Sequence, residues 1–438
     1  TVEVNEGLVS SAAKWAGAIS YDNATGQGTY DEHTTPSQPS NEQQKTEFTS
    51  QITSGSVSEY VTAKVENSTG IYTFTKDSTL KSDRYNGAIL GDNKPLTVSA
   101  NGRTLTVAAK KTGFGFLTGI YHSGHGSAGS GNGPMTITAK TLNVTAEGQG
   151  KTYGIYNYSD NFLRVIGDTN IKVKGGTGDD VTGIEAAAGG TTQLDGLTLK
   201  QEKSSNAEHR AIRNTGKGSR VFVNMDEAGV LGTSKVEIQG NVLSDNENAK
   251  NEAEQPLTSL ALTTADSTLT GTILAGAKGK ADLYLQNGAQ WLNEGRNARY
   301  YQDDEDMGAG TMAAVKTRAG GTVGKFYNAQ SRVTNFVGGA TEAQRGIIYQ
   351  KSINPLMIEN YSGHTAAVYT HDTAAPTSFR GGDIVINKAT GTENVFTLFT
   401  DGAGVTTGNQ SAVLNALANK LTYKSFAENK LLGKLSIG

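Results

Sequence analysis

Two histidines, His122 and His125, lie three residues apart in a loop of small polar residues, HSGHGSAGSGNG at 122–133. Imidazole is a common ligand of Zn²⁺, but no third ligand can be named near the pair. Ser127 follows His125, yet a catalytic Ser–His pair is defined by its geometry in space and not by adjacency in a loop. No Gly-x-Ser-x-Gly sequence joins a strand to a helix. The segment is therefore predicted to be a solvated loop without metal or nucleophile.

An acidic run, DDED at 303–306, follows Tyr300 and Tyr301. Carboxylate oxygens are the hard ligands that Ca²⁺ prefers, but the run lacks the alternating spacing of a calcium loop. A solvated acidic turn is the favoured interpretation, and calcium binding is the alternative.

Isolated aspartates along the middle of the chain raise the question of glycan cleavage, which needs two carboxylates close together. The candidates in that stretch are Asp160, Asp168, Asp179, Asp180 and Asp195. Without a strand register no two of them can be placed together, and single aspartates are expected in turns in any case. A polysaccharide-cleaving enzyme therefore remains an alternative to a binding protein.

Tyrosine is the most frequent aromatic residue, with 17 Tyr against 12 Phe and 2 Trp. Four of them cluster in two adjacent repeats: Tyr121, Tyr153, Tyr156 and Tyr158. A row of tyrosines offers flat apolar area with a hydroxyl group, which suits contact with sugars or another protein. The same row can also serve only to stiffen the stack. With His122 and His125, these tyrosines form the predicted ligand-binding set.

The composition indicates a folded, elongated protein. No break in composition divides the 438 residues, and hydrophobic residues make up 36% while charged residues make up only 18%, which argues against disorder. The net charge is −3 and basic residues are scattered, so no nucleic-acid partner is predicted. The chain has no Cys, which excludes disulfides and thiolate metal sites and fits export through an oxidising periplasm. No cofactor and no metal site is predicted.

A repeat of small residue, Ile and often Tyr organises the first half of the chain. Its leading small residues are about 31 residues apart on average: Gly87, Gly119, Gly154, Gly183 and Ala211. Between them lie two short runs per period in which apolar residues alternate with polar ones, as in MTIT at 135–138 and LNVT at 142–145. This is the period-two pattern of strands with one buried face. Such three-strand units can bury their inward residues only by stacking.

These patterns predict an all-β fold, a right-handed parallel β-helix (β-solenoid) with three strands per coil and extended loops. Apolar side chains would stack in columns inside, while Thr and Asn would line the outside. Insertions would fall in the turns between strands, where repeat proteins often carry their function.

The later half of the chain resembles the pertactin-like passenger of autotransporters. The resemblance is carried by LTG at 269–271, ADLYLQNGAQW at 281–291, PLMIENYSGH at 355–364, FRGGDIVI at 379–386 and AVLNALANKL at 412–421. It covers roughly residues 257–438, and the earlier repeat is consistent with it. The chain thus looks like the passenger domain of a monomeric (type V) autotransporter of a Gram-negative bacterium, of the self-associating adhesin type.

The domain boundaries follow from these signals. Residues 1–60, which include PSQPSNEQQ, are predicted to form an N-terminal cap and loose loop, and residues 61–256 the solenoid repeats. Residues 257–410 are predicted to form the pertactin-like C-terminal solenoid, and 411–438 the C-terminal end of the passenger.

The resemblance implies a location at the cell surface or outside the cell, after export through the periplasm and outer membrane, and tethering by an outer-membrane barrel that this sequence does not contain. It also implies adhesion, cell aggregation and biofilm formation rather than catalysis. The expected partner is a host glycan, a matrix protein or another copy of the same passenger. The C-terminal portion, from about residue 320 to 438, is expected to unfold last because it would template the coils behind it.

Overall fold

The computed structural model describes residues 2–3, 19–22, 27–30, 63–66, 71–74, 76–83, 87–92, 95–113, 115–124, 133–175, 181–202, 210–294, 331–425 and 429–438. Most of the predicted N-terminal cap, His125, Asp179, Asp180 and the acidic run at 303–306 lie outside these residues.

The described residues form 32 strands. The first part of the chain contains β1 (Val2–Glu3), β2 (Ile19–Asp22), β3 (Gln27–Tyr30), β4 (Ala63–Glu66), β5 (Ile71–Phe74), β6 (Ser78–Ser82), β7 (Ile89–Asp92), β8 (Leu96–Lys110), β9 (Leu117–Gly124), β10 (Met135–Gly148), β11 (Thr152–Ser159) and β12 (Leu163–Gly175). The middle contains β13 (Val181–Ala186), β14 (Thr191–Leu194), β15 (Leu197–Gln201), β16 (Arg210–Asn214), β17 (Arg220–Val223), β18 (Val236–Gln239), β19 (Val242–Ser244), β20 (Leu257–Leu262), β21 (Thr268–Thr270), β22 (Ile273–Ala275), β23 (Lys280–Leu285) and β24 (Gln290–Asn293). The last part contains β25 (Ser331–Val337), β26 (Gly346–Gln350), β27 (Leu356–Val368), β28 (His371–Asp372), β29 (Ala375–Phe379), β30 (Ile384–Thr400), β31 (Leu421–Tyr423) and β32 (Leu432–Ile437).

Most of these strands pair in parallel, in three ladders. Ladder 1 runs through β7, β9, β11, β13, β16, β19, β22, the first residues of β25, β27 and β30, and β31. Ladder 2 runs through β5, the first halves of β8, β10 and β12, then β14, β17, β20, β23 and the following parts of β25, β27 and β30. Ladder 3 runs through β6, the second halves of β8, β10 and β12, then β15, β18, β21, β24, β26, the ends of β27 and β30, and β32. The predicted all-β fold with parallel strands is confirmed.

The sequence repeat corresponds to the register of ladder 1. Ile120 pairs with Ile89 on one side and with Ile155 on the other, and Ile155 pairs in turn with Ile184. Ile184 then pairs with Ile212. All five isoleucines are buried. The prediction that the repeat marks equivalent strand positions is confirmed.

Close contact between neighbouring strands explains why the residue before each isoleucine is small. A Cβ atom on Gly119 would stand 2.7 Å from the carbonyl oxygen of Gly154, and one on Gly154 would stand 2.7 Å from that of Gly183. Both distances are below 3.0 Å, a range that real Cβ atoms essentially never show. Gly183 has the same relation to Ala211, at 2.6 Å.

The core consists of columns of apolar residues, each of which runs along one ladder from strand to strand. One column on ladder 3 contains Val107, Val144, Ile171, Leu199, Ile238 and Leu269, each at most 2% exposed. Burying a side chain of this size contributes about 1.5–3 kcal/mol. The β-branched residues suit the pleated surface of a strand. They alternate with polar residues because successive side chains of a strand point to opposite faces.

In the C-terminal half, a column of aromatic residues, here called the aromatic column, joins aliphatic side chains such as Leu283 and Ile358 in the core. The column consists of Trp291 on β24, Phe336 on β25, Tyr361 on β27 and Phe396 on β30. The ring centroids of successive residues are 6.4, 5.7 and 5.3 Å apart. The polar atoms are satisfied, since Trp291 Nε1 donates to the Gly271 carbonyl at 2.9 Å and the Tyr361 hydroxyl donates to the Val395 carbonyl at 2.7 Å.

A few elements depart from the parallel pattern. Antiparallel pairs join β1 to β4, β2 to β3, β4 to β5 and β28 to β29. One α-helix is present in the described ranges, α1 (Gln410–Ala418), which buries Val413 and Leu417; 3-10 turns occupy Glu252–Glu254 and Glu342–Gln344. Within these ranges, no helix has the length and hydrophobicity needed to span a bilayer.

Candidate functional site

The predicted tyrosines form one cluster on the outer side of ladder 1. Tyr121 and Tyr156 are register partners on β9 and β11, with ring centroids 5.4 Å apart in an edge-on arrangement. Tyr153 and Tyr158 contact Tyr156 at 4.5 and 5.6 Å. Contacts of this kind contribute about 0.5–1.5 kcal/mol each beyond the area they bury. The structure thus brings all four residues together.

The cluster is largely covered. Tyr121, Tyr153 and Tyr156 are 6%, 7% and 9% exposed, while Tyr158 is half-buried. In this state the cluster offers little area to a ligand, and its packing stabilises neighbouring layers. Ligand binding by these residues stays a prediction.

His122 is also buried, at 1% exposure, within β9 near the turn between ladders 1 and 2, so the prediction that it lies in a solvated loop is wrong. Its Nε2 lies 2.9 Å from the carbonyl of Gly133, which only accepts, so Nε2 carries the proton. Its Nδ1 lies 3.0 Å from the hydroxyl of Ser159. Burial lowers the pKa of His122 to about 4, against the opposing effects of the Gly133 contact and of Asp160. The ring is therefore neutral at physiological pH.

The hydroxyl of Ser159 has one proton, which it donates either to Oδ1 of Asn157 at 2.6 Å or to Nδ1 of His122 at 3.0 Å. It is only 1% exposed, so no substrate reaches it as a nucleophile. Asn157 also donates from Nδ2 to the hydroxyl of Thr192 on β14, at 3.1 Å. The His–Ser pair therefore belongs to a buried network that ties ladder 1 to ladder 2.

The same corner carries a second network that the sequence analysis missed. Asn214 Nδ2 donates to the carbonyl of Leu257 at 2.9 Å and to that of Ser219 at 3.2 Å. The hydroxyls of Ser244 and Thr258 lie 2.6 Å apart beside it. A signal was present, because Asn157 and Asn214 both stand two residues after the repeat isoleucine.

An open groove lies on the outside of the turn between ladders 2 and 3. We call it the loop groove, since the loop at residues 224–234 forms one wall. It has a volume of about 320 Å³ and is lined by Arg164, Gly167, Asp168, Gln193, Asp195, Asn224, Met225, Asp226, Val230, Leu231, Gly232 and Ser234.

Packing and hydrogen bonds hold the loop against ladder 2. Met225 is buried with Phe222 and Ala261, and Leu231 and Tyr284 pack against them. Met225 and Leu231 form an antiparallel bridge.

Asn224 shapes the start of the loop. It adopts a left-handed backbone with φ of 57°, a conformation that Asn tolerates better than most residues. Its Nδ2 donates to the Ala261 carbonyl at 3.0 Å, and its Oδ1 accepts from the Ser234 amide at 3.1 Å. The loop is thus anchored at its base while its tip projects outward.

The opposite wall is held by an ion pair. Nη2 of Arg164 lies 2.6 Å from Oδ1 of Asp195, and the amide of Gly167 donates to Oδ2 at 3.0 Å. Asp226 Oδ1 accepts from the Val230 amide at 2.9 Å within the loop. Asp195 and Asp226 are therefore both oriented by bonds within the chain.

Of the predicted carboxylates, the structure brings together Asp168 and Asp195 and adds Asp226. Asp160 lies elsewhere, near His122. Among the described residues, no three His, Asp or Glu side chains are close enough to hold a metal ion. Neither family models, nor curated proteins, nor solved structures give a match to this chain.

Proposed function

We propose that the chain is a right-handed parallel β-helix that acts as a surface-displayed adhesin, the passenger of an autotransporter. The order of pairing supports the β-helix: β13, β14 and β15 pair with β16, β17 and β18, which pair in turn with β19, β20 and β21. The chain visits the three ladders in rotation. Right-handedness is the expected sense, because nearly all parallel crossover connections are right-handed.

The observation that carries the adhesin proposal is the outer surface. Amide side chains stack on it in register, with Asn170 Nδ2 donating to Asn143 Oδ1 at 2.9 Å on ladder 3. On ladder 2, Asn335 Nδ2 donates to Asp282 at 2.9 Å, and Asn360 Nδ2 to Asn335 at 3.2 Å. Such columns present repeated polar groups at a fixed spacing of about 4.8 Å. Many weak contacts to a partner with a matching repeat would add up through multivalency.

The partner is a host glycan, a matrix protein or a second copy of the chain. The test uses beads coated with the purified chain, mixed with each other and with immobilised matrix proteins and glycans. Clumping that increases with coating density, or retention on one of the surfaces, is expected. Beads that neither clump nor bind would contradict the adhesin proposal.

The surface location has its own test. Antibodies raised against the purified chain should label intact cells that produce it, and added protease should remove the label. Labelling that appears only after the cells are broken open would contradict export.

Glycan cleavage is the second candidate, favoured by the meeting of Asp168, Asp195 and Asp226 in the loop groove. Because Asp195 is committed to Arg164, the acid and base of such a reaction would be Asp168 and Asp226. New reducing ends from a polysaccharide panel, lost in both Asp168→Asn and Asp226→Asn, would decide for an enzyme. Absence of turnover alongside binding would decide for an adhesin.

A further inference from the structure

The polar side chains of the loop groove fall into two sets, a frame whose members form hydrogen bonds within the chain and a lining whose members do not. Asn224, Asp195 and Asp226 form the frame, and their side chains are engaged by the bonds described above. The carboxylate of Asp168, the side-chain amide of Gln193 and the hydroxyl of Ser234 also line the groove. In the described part of the chain, these three side chains make no hydrogen bond or ion pair. They are therefore available to a ligand.

An apolar wall stands beside these polar groups. Val230, at the tip of the loop, is 64% exposed, the largest value among the exposed large hydrophobic residues of the described chain. The Val230 amide bonds to Asp226, so the position is fixed. Met225 also lines the groove. A ligand that fits must present an apolar patch next to groups that both donate and accept hydrogen bonds.

The charge of the groove restricts the ligand further. Arg164 is neutralised by Asp195, so the carboxylates of Asp168 and Asp226 leave the lining negative. An anionic ligand would be repelled. A sugar ring without carboxylate or sulfate fits, because adjacent hydroxyls can donate to the carboxylate of Asp168 while the C–H face packs on Val230. The volume lies at the lower end of the range of small-ligand sites, which starts near roughly 300 Å³.

We propose that the loop groove binds a short stretch of a neutral or amino-sugar-containing glycan. Asp168 and Gln193 recognise its hydroxyls, and Val230 contacts its apolar face. This inference deepens the adhesin proposal by naming the partner class for one site, and it rests on that proposal for its biological meaning. The binding itself is tested independently of it.

The experiment measures binding of the purified full chain to an immobilised panel of neutral, amino-sugar, sialylated and sulfated oligosaccharides, with an oligolysine peptide included. Binding to neutral or amino-sugar members is expected. Asp168→Asn should lower the affinity by roughly tenfold or more, because it removes a charge-assisted hydrogen bond. Val230→Ala should lower the affinity by up to roughly tenfold, because it removes the apolar contact of two methyl groups.

Two variants serve as controls. Asp372→Asn removes an exposed carboxylate that pairs with Arg380, and Leu432→Ala removes an exposed apolar side chain, both outside the groove. Both should bind as the parent does. Because the two groove residues to be changed are exposed and make no bond through their side chains, circular dichroism and the thermal midpoint should not change in either groove variant.

Three outcomes would overturn the proposal. One is binding only to sialylated or sulfated members or only to oligolysine. Another is binding to neutral glycans that both groove variants retain, and the third is no binding to the panel. If the last result came with bead clumping in the adhesion assay, the groove proposal would fail while the adhesin proposal stood.

Discussion

Gly119 lies directly against Gly154, so that a Cβ atom on Gly119 would stand 2.7 Å from the carbonyl oxygen of Gly154. Gly154 has the same relation to Gly183, and the methyl carbon Cγ2 of Ile171 is equally close to the position of a Cβ on Gly154. The contact explains why the repeat keeps a small residue before the isoleucine. Both the backbone of Gly183 and the side chain of Ile171 limit the space at Gly154.

Gly154→Ala should therefore destabilise the chain by about 1–3 kcal/mol, the usual cost of overpacking. The free energy of unfolding in urea measures the effect. Gly113→Ala is the matched control, because nothing lies within 4 Å of a Cβ at that position. Equal midpoints for the two variants would contradict the close stacking of layers.

The aromatic column predicts where the chain is most stable. Phe336 is fully buried between Trp291 and Tyr361, and its replacement by Ala should cost about 3–5 kcal/mol. Phe116→Ala is the control, since Phe116 is 45% exposed. A similar loss of stability in both variants would argue against the packed column.

Hydrogen exchange should find the slowest amides from about residue 320 to 438, within the described parts of that range. The reason is that β27 and β30 each run through all three ladders, next to the aromatic column. In Phe336→Ala these amides should exchange faster, while those of β10 and β12 should change little. Uniform protection along the chain, or slower exchange in the first half, would contradict this order.

His122 predicts a loss of stability at mildly acidic pH. Its pKa in the folded state is about 4, below the ordinary value of 6.5 for histidine, so the unfolded chain binds the proton more readily. The contribution is fully present above pH 6.5 and is lost as the pH falls toward 4, by at most about 3 kcal/mol.

The measurement is urea unfolding of the parent and His122→Gln between pH 7.5 and 4.5. Other titrating groups act on both proteins, so the difference between the two curves isolates His122. The stability advantage of the parent should shrink as the pH falls, because only the parent has a histidine here that is protonated when unfolded and must release the proton on folding. A constant difference would contradict a buried neutral ring.

The parallel strands could be predicted from the sequence. Period-two alternation indicates the strands, and the spacing of the small residue before Ile indicates which residues pair on ladder 1. The sequence also placed Tyr121 beside Tyr156. It did not predict their burial: alternation puts Tyr121 on the outer face, whereas all six residues of β13 on the same ladder are buried. The outer face of ladder 1 is thus covered as well, and covering depends on contacts that a local pattern does not encode.

The loop groove was only half predicted. Asp168 and Asp195 were named as candidates, but Asp226 was not, because its position depends on Met225 packing against Phe222 and Tyr284. The helix α1 was also missed. Its sequence, QSAVLNALA, is rich in the strong helix formers Ala and Leu, with Val413 and Leu417 four residues apart on one face.

The stacked layers are tested most directly by one distance across them. Since the chain has no Cys, Asn143→Cys and Gln290→Cys would provide the only two spin-label sites, both on the outer side of ladder 3. Five register steps separate them, through Asn170, Thr198, Glu237 and Thr268. At about 4.8 Å per step, pulsed electron paramagnetic resonance should give one main distance near 24 Å. A broad distribution, or a main distance below about half or above about twice that value, would contradict the stack.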